Sequence, residues 1–130
     1  MVIKTRVSIV YFGSGPVAIK TLEYLNSSNR FQIEAIITKP STYSELKNLH
    51  PNIPTYGVSN SVELEDLITT ELFKSQIGIL VDFGVIVSKT VIDYFPLGIV
   101  NSHFSLLPEW RGADPITFAI LSGRIKRGSV

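Results

Sequence analysis

The sequence predicts an α/β protein with an open, mostly parallel sheet covered by helices on both faces. Apolar runs rich in β-branched residues alternate with segments of helical spacing along the 130 residues. Several of these runs are apolar throughout, which is typical of parallel strands buried on both faces. With 45% hydrophobic and 18% charged residues, the composition is that of one globular domain with a substantial core.

The first half of the chain is predicted to form a strand, a turn, a helix and a second strand. Val7 to Phe12 is a β-branched and aromatic run that stops at Gly13-Ser14-Gly15-Pro16. The apolar spacing from Val17 to Leu25 predicts a helix. A second strand is expected over Phe31 to Thr38, and the Pro-punctuated segment from Ser41 to Tyr56 is expected to be irregular.

Capping residues and two further apolar runs organise the middle of the chain. Ser59 or Ser61 is expected to cap a helix that carries Leu64, Leu67, Ile68 and Leu72, and Ser88 a short helix through Tyr94. The expected strands that alternate with these helices are Ile77 to Val81 and Ile99 to His103.

The last apolar segment is predicted to be a buried helix. Asp114 suits its cap, Pro115 its first position and Gly123 the residue after its end. Its body, Ile116 to Leu121, is nearly all apolar. Residues 124–130 read as a turn leading to another strand, so residues 1–130 are expected to be a single domain that is incomplete at its C-terminus.

Charge and cysteine content exclude several classes of protein. Twelve basic and eleven acidic residues leave a net charge of +1, too small to indicate a nucleic-acid footprint. The absence of cysteine excludes a disulfide scaffold and thiolate metal sites, and the two histidines lack zinc-ligand spacing, so no metal is expected. No signal peptide or membrane-spanning run is recognisable. The lack of cysteine is compatible with a reducing cytosol. A cytoplasmic location and a monomer are our expectations for this protein.

The glycine turn matches a nucleotide-binding fingerprint only in part. Residues 13–18 fit G-x-G-x-x-A between a predicted strand and helix. The fingerprint also expects an acidic residue at the end of the second strand, but that strand ends Thr38-Lys39 and the nearest acid, Glu34, lies mid-strand. Pro16 removes a backbone amide that a pyrophosphate would use. The residues favour a tight turn, with nucleotide binding as the alternative.

A polar pair ends the strand that begins at Ile99. Asn101 and His103 are two residues apart, so in a strand they project to one face, about 7 Å apart. Each alone could simply satisfy nearby backbone groups. Ligands bind beyond the carboxyl ends of parallel strands, however, and the pair should share that edge with Gly13 to Gly15 and Asp82 to Gly84. An amide donor for an oxyanion and an imidazole that moves a proton suit non-covalent transfer at a carbonyl.

These residues continue into a longer motif that resembles a known family. Asn101-x-His103 is followed by Ser105-Leu106-Leu107-Pro108 and by Trp110-Arg111-Gly112-Ala113-x-Pro115-Ile116. This pattern resembles the signature of the formyltransferases that use 10-formyltetrahydrofolate, and the Trp-Arg-Gly-Ala segment is most similar to the branch that acts on methionyl-tRNA. The segments "IVYFGSGPVAIKTLEYL" and "ILVDFGVIVSKTVIDYFPLGIVNSHFSLLP" resemble the family's first and central blocks.

The resemblance implies a Rossmann-like formyltransferase fold and formyl transfer from 10-formyltetrahydrofolate to the α-amino group of methionine on initiator tRNA. By analogy Asn101 holds the formyl oxygen, while a protonated His103 stabilises the oxyanion and shuttles a proton. The pteridine would lie between the loop Asp82 to Ser88 and the segment Ser105 to Pro108. The cofactor-binding residues implied are Phe83, Gly84, Val85, Ile86, Ser105, Leu106, Leu107 and Pro108, and those facing the acceptor are Gly13, Ser14 and Arg111.

The resemblance also implies two parts that would follow Val130. One is an Asp that raises the pKa of the histidine by charge pairing, and the other is a small β-barrel domain that helps to grip tRNA. Residues 1–130 alone are therefore expected to be nearly inactive. Two alternatives stay open: a sibling formyltransferase acting on glycinamide ribonucleotide or a nucleotide sugar, and a non-catalytic folate- or nucleotide-binding module.

Overall fold

Strands and helices alternate along the chain. The computed structural model describes residues 5–104 and 116–121, and for residues 103, 104 and 116–121 it describes the backbone. In chain order the elements are β1 (Val7–Gly13), α1 (Pro16–Ser27), β2 (Phe31–Thr38), α2 (Pro40–Leu49), β3 (Thr55–Gly57), α3 (Ser61–Glu71), β4 (Ile77–Val81), α4 (Lys89–Tyr94), β5 (Ile99–Phe104) and β6 (Ile116–Leu121).

The described strands form one sheet in the order β3-β2-β1-β4-β5-β6. The pairs within β1 to β5 are parallel, and β6 is antiparallel to β5. This confirms the mostly parallel α/β fold that the sequence predicts. Because β1 to β5 are parallel, their carboxyl ends lie at one edge of the sheet. The chain winds outward from β1 in both directions, and folds of this kind bind ligands at that edge, near the point where the strand order reverses.

The core has two layers, one on each face of the sheet. Ile9 and Tyr11 of β1 belong to a buried cluster covered by α1 and α2, whereas Val10 and Phe12 belong to a cluster covered by α3 and α4. All four side chains are fully buried. Burial of an apolar side chain of this size contributes about 1.5–3 kcal/mol, so the alternation along β1 fixes both layers.

A β-bulge in β2 moves one carboxylate out of the regular pleat. Ile9 pairs with Ile33, but Val10 pairs with Ala35, so Glu34 is the extra residue. Ile33 and Ala35 consequently belong to opposite core clusters although they are two residues apart. A bulge re-aims the side chain at the extra position. Here the Glu34 carboxylate accepts hydrogen bonds from the segment that precedes β4.

The expectation of an irregular segment from Ser41 to Tyr56 is wrong. Pro40 begins α2, and a short strand, β3, follows it. Proline at the first helical position lacks only an N–H that would be unpaired there, so the Lys39-Pro40 pair starts a helix as well as ending a strand.

The predicted final helix is also contradicted, because Ile116 to Leu121 forms β6 along β5. A short, wholly apolar run fits a buried strand as well as a buried helix, and Ile116, Thr117, Phe118 and Ile120 all favour a strand. The capping residues proposed for this helix, Asp114, Pro115 and Gly123, lie outside the described residues.

Helix caps follow the predicted chemistry with one change of residue. Asn60, rather than Ser59 or Ser61, caps α3: its Oδ1 accepts from the Glu63 N–H at 2.9 Å. The Ser88 cap of α4 is confirmed, since its Oγ accepts from the Val91 N–H at 3.4 Å. The loop that precedes α4 is therefore anchored at its far end.

Candidate functional site

The carboxyl ends of β1, β4 and β5 lie side by side and carry polar groups. Gly13 of β1 pairs with Val81 of β4, which in turn pairs with Ser102 of β5. Just beyond this level the Ser14 N–H donates to the Asp82 carbonyl at 3.1 Å. The predicted meeting of the glycine turn, the Asp82 loop and the end of β5 at one edge is confirmed.

The polar pair lies at the end of β5. Asn101 is partly buried and pairs with Leu80 on one side and Ala119 on the other. His103 is the residue after the Val81–Ser102 pair, at the level where β4 gives way to its loop. The backbone of both residues thus lies at the same edge of the sheet as the glycine turn and the Asp82 loop. An amide and an imidazole are groups that can orient and protonate a carbonyl substrate.

The glycine turn is required by close packing and by backbone conformation. A Cβ on Gly13 would lie 2.7 Å from the Ala18 Cβ and 2.8 Å from the Val81 carbonyl oxygen, closer than atoms approach. Gly15 has φ of 90° and precedes α1, a conformation that glycine adopts without a steric penalty. The turn therefore brings β1, α1 and β4 together at the edge.

The acidic residue that dinucleotide binding would need at the end of β2 is not available there. The Glu34 carboxylate accepts from the Lys74 N–H at 2.8 Å and from the Ser75 N–H at 2.8 Å and Oγ at 2.6 Å. Burial raises the pKa of this carboxyl, but the hydrogen bonds from Ser75 and Lys74 outweigh it and hold the pKa below the usual value. Glu34 is thus engaged in the fold and does not lie at the end of β2, where a ribose would need it.

Three hydroxyl groups form a hydrogen-bonded cluster behind the turn. Ser14 Oγ lies 3.2 Å from both Thr38 Oγ1 and Thr42 Oγ1, and those two oxygens are 2.6 Å apart. The Lys39 N–H also donates to Ser14 Oγ at 3.1 Å. We call Ser14, Thr38 and Thr42 the hydroxyl cluster; it joins the turn after β1 to the start of α2.

Sequence reasoning singled out Ser14 but missed Thr38, Thr42 and Lys39. Their contacts with Ser14 span 24 to 28 positions and depend on the parallel pairing of β1 with β2. The available signal was a threonine at the end of an apolar run with another threonine one helical turn later, just after the Pro40 that starts α2.

The loop 82–88 presents a buried aromatic ring and an exposed aliphatic side chain. Phe83 is 2% exposed and packs edge-on against Phe12, with ring centroids 5.7 Å apart, whereas Ile86 is 80% exposed. Asp82 and Gly84 have φ of 48° and 81°, which turn the chain sharply on either side of Phe83. The buried ring anchors the loop while Ile86 faces solvent, so of these two side chains Ile86 is the one available to a flat apolar ligand.

Tyr11 supports the same edge from within the core. Its hydroxyl donates to the Ala18 carbonyl at 2.7 Å. Burial, and then the negative charge of Asp82, raise the pKa of Tyr11 far above its usual value. The group therefore stays a neutral hydrogen-bond donor that ties α1 to β1.

Several predicted site residues lie outside the described residues, namely Ser105, Leu106, Leu107, Pro108 and Arg111. In the part of the chain that the structure describes, no three His, Cys, Asp or Glu side chains are grouped to hold a metal ion. Nor does any helix in those ranges have the length and apolar character to cross a membrane.

A groove of about 780 Å³ lies away from β5, between α2, β3 and α3. Its lining includes Tyr43 and Tyr56 but none of the residues predicted to form the site. The groove is therefore separate from the carboxyl edge that carries the glycine turn, the loop 82–88 and the Asn101–His103 pair.

Curated relatives share sequence with nearly the whole chain. Residues are 34% identical to the methionyl-tRNA formyltransferase of Mycoplasma genitalium over 127 positions, which cover 88% of this chain and 40% of that protein. The enzyme of the same name from Prochlorococcus marinus is 33% identical over 132 positions, covering 92% of this chain and 39% of the relative. The chain thus spans about two fifths of the length of these relatives.

Solved structures share the fold at lower identity. A phosphoribosylglycinamide formyltransferase from Anaplasma phagocytophilum superposes with a TM-score of 0.66 at 20% identity, over 92% of this chain and 66% of that one. A glycinamide ribonucleotide transformylase from Geobacillus kaustophilus gives 0.65 at 17% identity, over 91% and 76%.

The family pattern described as formyl transferase matches residues 5–130, which include the glycine turn, the loop 82–88 and the Asn101–His103 pair. The strand order and the polar carboxyl edge agree with that match. This chain belongs to the formyl transferase family.

Proposed function

We propose that the protein transfers a formyl group from 10-formyltetrahydrofolate to the α-amino group of methionyl-initiator tRNA, and that residues 1–130 supply the N-terminal part of its catalytic domain. The observation that carries the proposal is the Asn101–His103 pair at the carboxyl end of β5, at the same edge of the sheet as the glycine turn. Family membership and the names of the relatives at 33–34% identity support formyl transfer and this acceptor. The proposed place of action is the cytoplasm.

In the proposed reaction the amine nitrogen attacks the formyl carbon of the donor directly. The Asn101 amide donates a hydrogen bond to the formyl oxygen as it gains negative charge, and protonated His103 provides a second donor. As the tetrahedral intermediate collapses, the bond from the formyl carbon to N10 breaks. His103 moves the proton lost by the amine to N10, so the products are the formylated amine and tetrahydrofolate.

The remaining residues are proposed to hold the two substrates. The pteridine lies between the loop 82–88, which presents Ile86 and Val85, and the segment Ser105 to Pro108. Gly13, Ser14 and Arg111 face the acceptor. An Asp elsewhere in the full-length protein raises the pKa of His103, as the family resemblance implies, so that the imidazole is protonated when the amine attacks.

Substitution of the polar pair in the full-length protein tests the proposal. His103→Ala is expected to lower the rate of formyl transfer to methionyl-tRNA by about 100-fold to 10,000-fold, because it removes the proton carrier. Asn101→Ala is expected to lower it by about 100-fold to 1,000-fold through loss of the oxyanion donor. Rates are measured with 10-formyltetrahydrofolate and charged initiator tRNA.

Ser102→Ala is the matched control on the same strand. Ser102 is 3% exposed, and its Oγ has no hydrogen-bond partner among the described residues, so its loss should leave transfer unchanged. Transfer at the wild-type rate by His103→Ala would refute the mechanism. Tight binding of folate without transfer to any amine would favour the non-catalytic binding module.

One observation favours a smaller acceptor as the second candidate. Helix α2 lies next to the acceptor side of the edge and offers Lys47 together with Glu45, without an excess of positive charge. Recognition of a tRNA backbone depends on cationic side chains. Assays with glycinamide ribonucleotide and an amino-sugar nucleotide in place of methionyl-tRNA distinguish the acceptors, because only the true acceptor is formylated at a saturable rate.

A further inference from the structure

The strand β3 forms one edge of the described sheet, and half of its backbone groups face away from the sheet. The Pro54 carbonyl accepts a hydrogen bond from β2 at 2.9 Å, and the Val58 N–H donates one to β2 at 2.8 Å. Backbone groups of successive strand residues point in alternate directions, so the N–H and C=O groups of Thr55 and Gly57 point away from β2. No described residue supplies a hydrogen-bond partner for these outward groups.

A groove of about 780 Å³ runs along this edge, and we call it the edge groove. Helices α2 and α3 lie on opposite faces of the sheet, and both contribute side chains to its lining together with residues 55–58. Gly57 lines the groove and is exposed. An open strand edge of this kind is a place where an extended peptide adds as a further strand.

The wall of the edge groove that α3 supplies is acidic. Glu63, Asp66 and Glu71 line it, and no lysine or arginine is among its described lining residues. Glu63 accepts from the Ser59 N–H at 2.7 Å and Glu71 from the Tyr56 hydroxyl at 3.3 Å, and both donors are neutral. Asp66 forms no ion pair with a described residue. A ligand of this wall therefore needs positive charge.

The other wall of the edge groove is aromatic. Tyr56 packs against the core cluster that α3 and α4 cover, so its neighbours Thr55 and Gly57 belong to the face that α2 covers. On that face Tyr43 of α2 lines the groove. Side chains of a strand added beside β3 alternate between the two faces. Lysine or arginine suits the positions beside α3, and apolar side chains suit those beside Tyr43.

We propose that the edge groove binds an extended segment of a partner protein that carries lysine or arginine at alternate positions and adds to β3 as a further strand. The segment's backbone pairs with the outward groups of Thr55 and Gly57, and its cations face the α3 carboxylates. A second copy of this chain fits poorly, because pairing two β3 edges brings two acidic walls together. The surface is distinct from the carboxyl edge and serves an interaction in addition to formyl transfer.

A synthetic peptide tests the chemistry of the edge groove. A blocked heptapeptide of alternating lysine and valine is titrated into the full-length protein by calorimetry, and a peptide of alternating glutamate and valine is the control. We expect binding of the lysine peptide, weaker binding as the salt concentration rises, and no binding of the glutamate peptide.

The outward N–H of Gly57 tests strand addition. Gly57→Pro removes this donor and leaves the hydrogen bonds to β2, because proline is tolerated at an edge position whose N–H faces outward. We expect the affinity for the lysine peptide to fall about five-fold, the effect of one backbone hydrogen bond. Gly57→Ala keeps the N–H and is the matched control: a Cβ there would lie 3.5 Å from Tyr43 Cδ1, an ordinary contact, so binding should be unchanged.

The charge of Asp66 tests the acidic wall. Asp66→Lys is expected to weaken binding of the lysine peptide by about ten-fold, because an attraction becomes a repulsion. Glu65→Lys makes the same change of net charge on the same helix, at a residue that does not line the groove, and should bind within two-fold of wild type. The melting temperature and the rate of formyl transfer should stay at wild-type values in the variants of Gly57 and Asp66.

Four results would overturn the inference. They are failure of the lysine peptide to bind, equal binding of the glutamate peptide, equal affinities of Gly57→Pro and Gly57→Ala, and equal affinities of Asp66→Lys and Glu65→Lys. A dimer in sedimentation that Gly57→Pro dissociates would instead assign the edge to a second copy of the chain. None of these results bears on formyl transfer, which is measured separately in the same variants.

Discussion

Two polar clusters near opposite edges of the sheet are built from opposite chemistry. At the amino edge the Glu34 carboxylate accepts hydrogen bonds from the Lys74 and Ser75 amides and from Ser75 Oγ, which lies 2.7 Å from Ser8 Oγ. We call these four residues the charged cluster. At the carboxyl edge the hydroxyl cluster joins three neutral side chains within 3.2 Å of one another. Both connect segments that are distant in sequence.

The two clusters differ in the strength of their hydrogen bonds and in their distance from the predicted site residues. A charged acceptor with several donors makes strong hydrogen bonds, whereas hydroxyl groups can each donate or accept and so rearrange at small cost. The strong, charged cluster ties together the edge that carries no predicted site residue. The adaptable, neutral one includes Ser14 of the glycine turn, which is proposed to face the acceptor.

The largest expected effect concerns the close approach on which the carboxyl edge depends. Gly13→Ala places a methyl group 2.8 Å from the Val81 carbonyl oxygen and 2.7 Å from the Ala18 Cβ. Since both neighbours belong to packed elements, β1 must move away from β4 or α1, and we expect the free energy of unfolding to fall by about 3 kcal/mol. Urea unfolding monitored by circular dichroism measures this.

Gly57→Ala provides the control for Gly13→Ala. A Cβ on Gly57, at the end of β3, would lie 3.5 Å from Tyr43 Cδ1, an ordinary contact, so stability should change little. If Gly13→Ala and Gly57→Ala were equally stable, the carboxyl edge would not depend on the close approach of β1 to β4.

The second effect separates the charged cluster from the neutral one. Glu34→Gln replaces the carboxylate by a neutral amide, and at pH 7 we expect a loss of about 2 kcal/mol, the usual size of hydrogen bonds to a charged group. Because the folded-state pKa of Glu34 lies below 4.5, the usual value for a glutamate, the carboxylate stabilises the fold above that pH. This stabilisation is lost as the pH falls from about 4.5 through the lowered pKa of the folded state.

The difference in stability between wild type and Glu34→Gln should therefore shrink as the pH is lowered from 7 to 3, as denaturant unfolding across this range would show. Glu23→Gln, an exposed glutamate on α1, controls for the loss of a negative charge and should show no such convergence. A difference that stayed constant from pH 7 to pH 3 would mean that the Glu34 charge does not stabilise the fold.

The same comparison shows which features can be predicted from sequence. The β2 and β4 strands are predicted to the residue. β4 is a continuous apolar run, and β2 is a mainly apolar run that ends at Lys39-Pro40. The meeting of strand ends at one edge follows from parallel pairing, which also brings the glycine turn beside the Asp82 loop. These features depend on local pattern and on general rules of topology.

Two kinds of feature could not be predicted from the sequence. One depends on the register between paired strands, and the other is whether a short apolar run forms a strand or a helix. Glu34 reads as a mid-strand acid in the sequence, and only the bulge between the Ile9–Ile33 and Val10–Ala35 pairs explains its engagement with Ser75. The six residues of β6 fit either a strand or a helix by composition, and pairing with β5 decides between them. In the candidate site the polar pair of β5 was visible in the sequence, but the hydrogen bonds that join Ser14 to Thr38, Lys39 and Thr42 were not.

The smallest effect concerns the hydroxyl cluster itself. Ser14→Ala removes the oxygen that accepts from the Lys39 N–H and contacts both threonines. Thr38 and Thr42 can keep their mutual hydrogen bond, so only the Lys39 amide loses its partner, and we expect a loss of about 1 kcal/mol that is independent of pH between 3 and 7. Ser44→Ala, an exposed serine on α2, should change stability by less than about 0.5 kcal/mol. A loss for Ser14→Ala as large as that for Glu34→Gln would show that the hydroxyl cluster is a rigid support, and the distinction between the two edges would then be wrong.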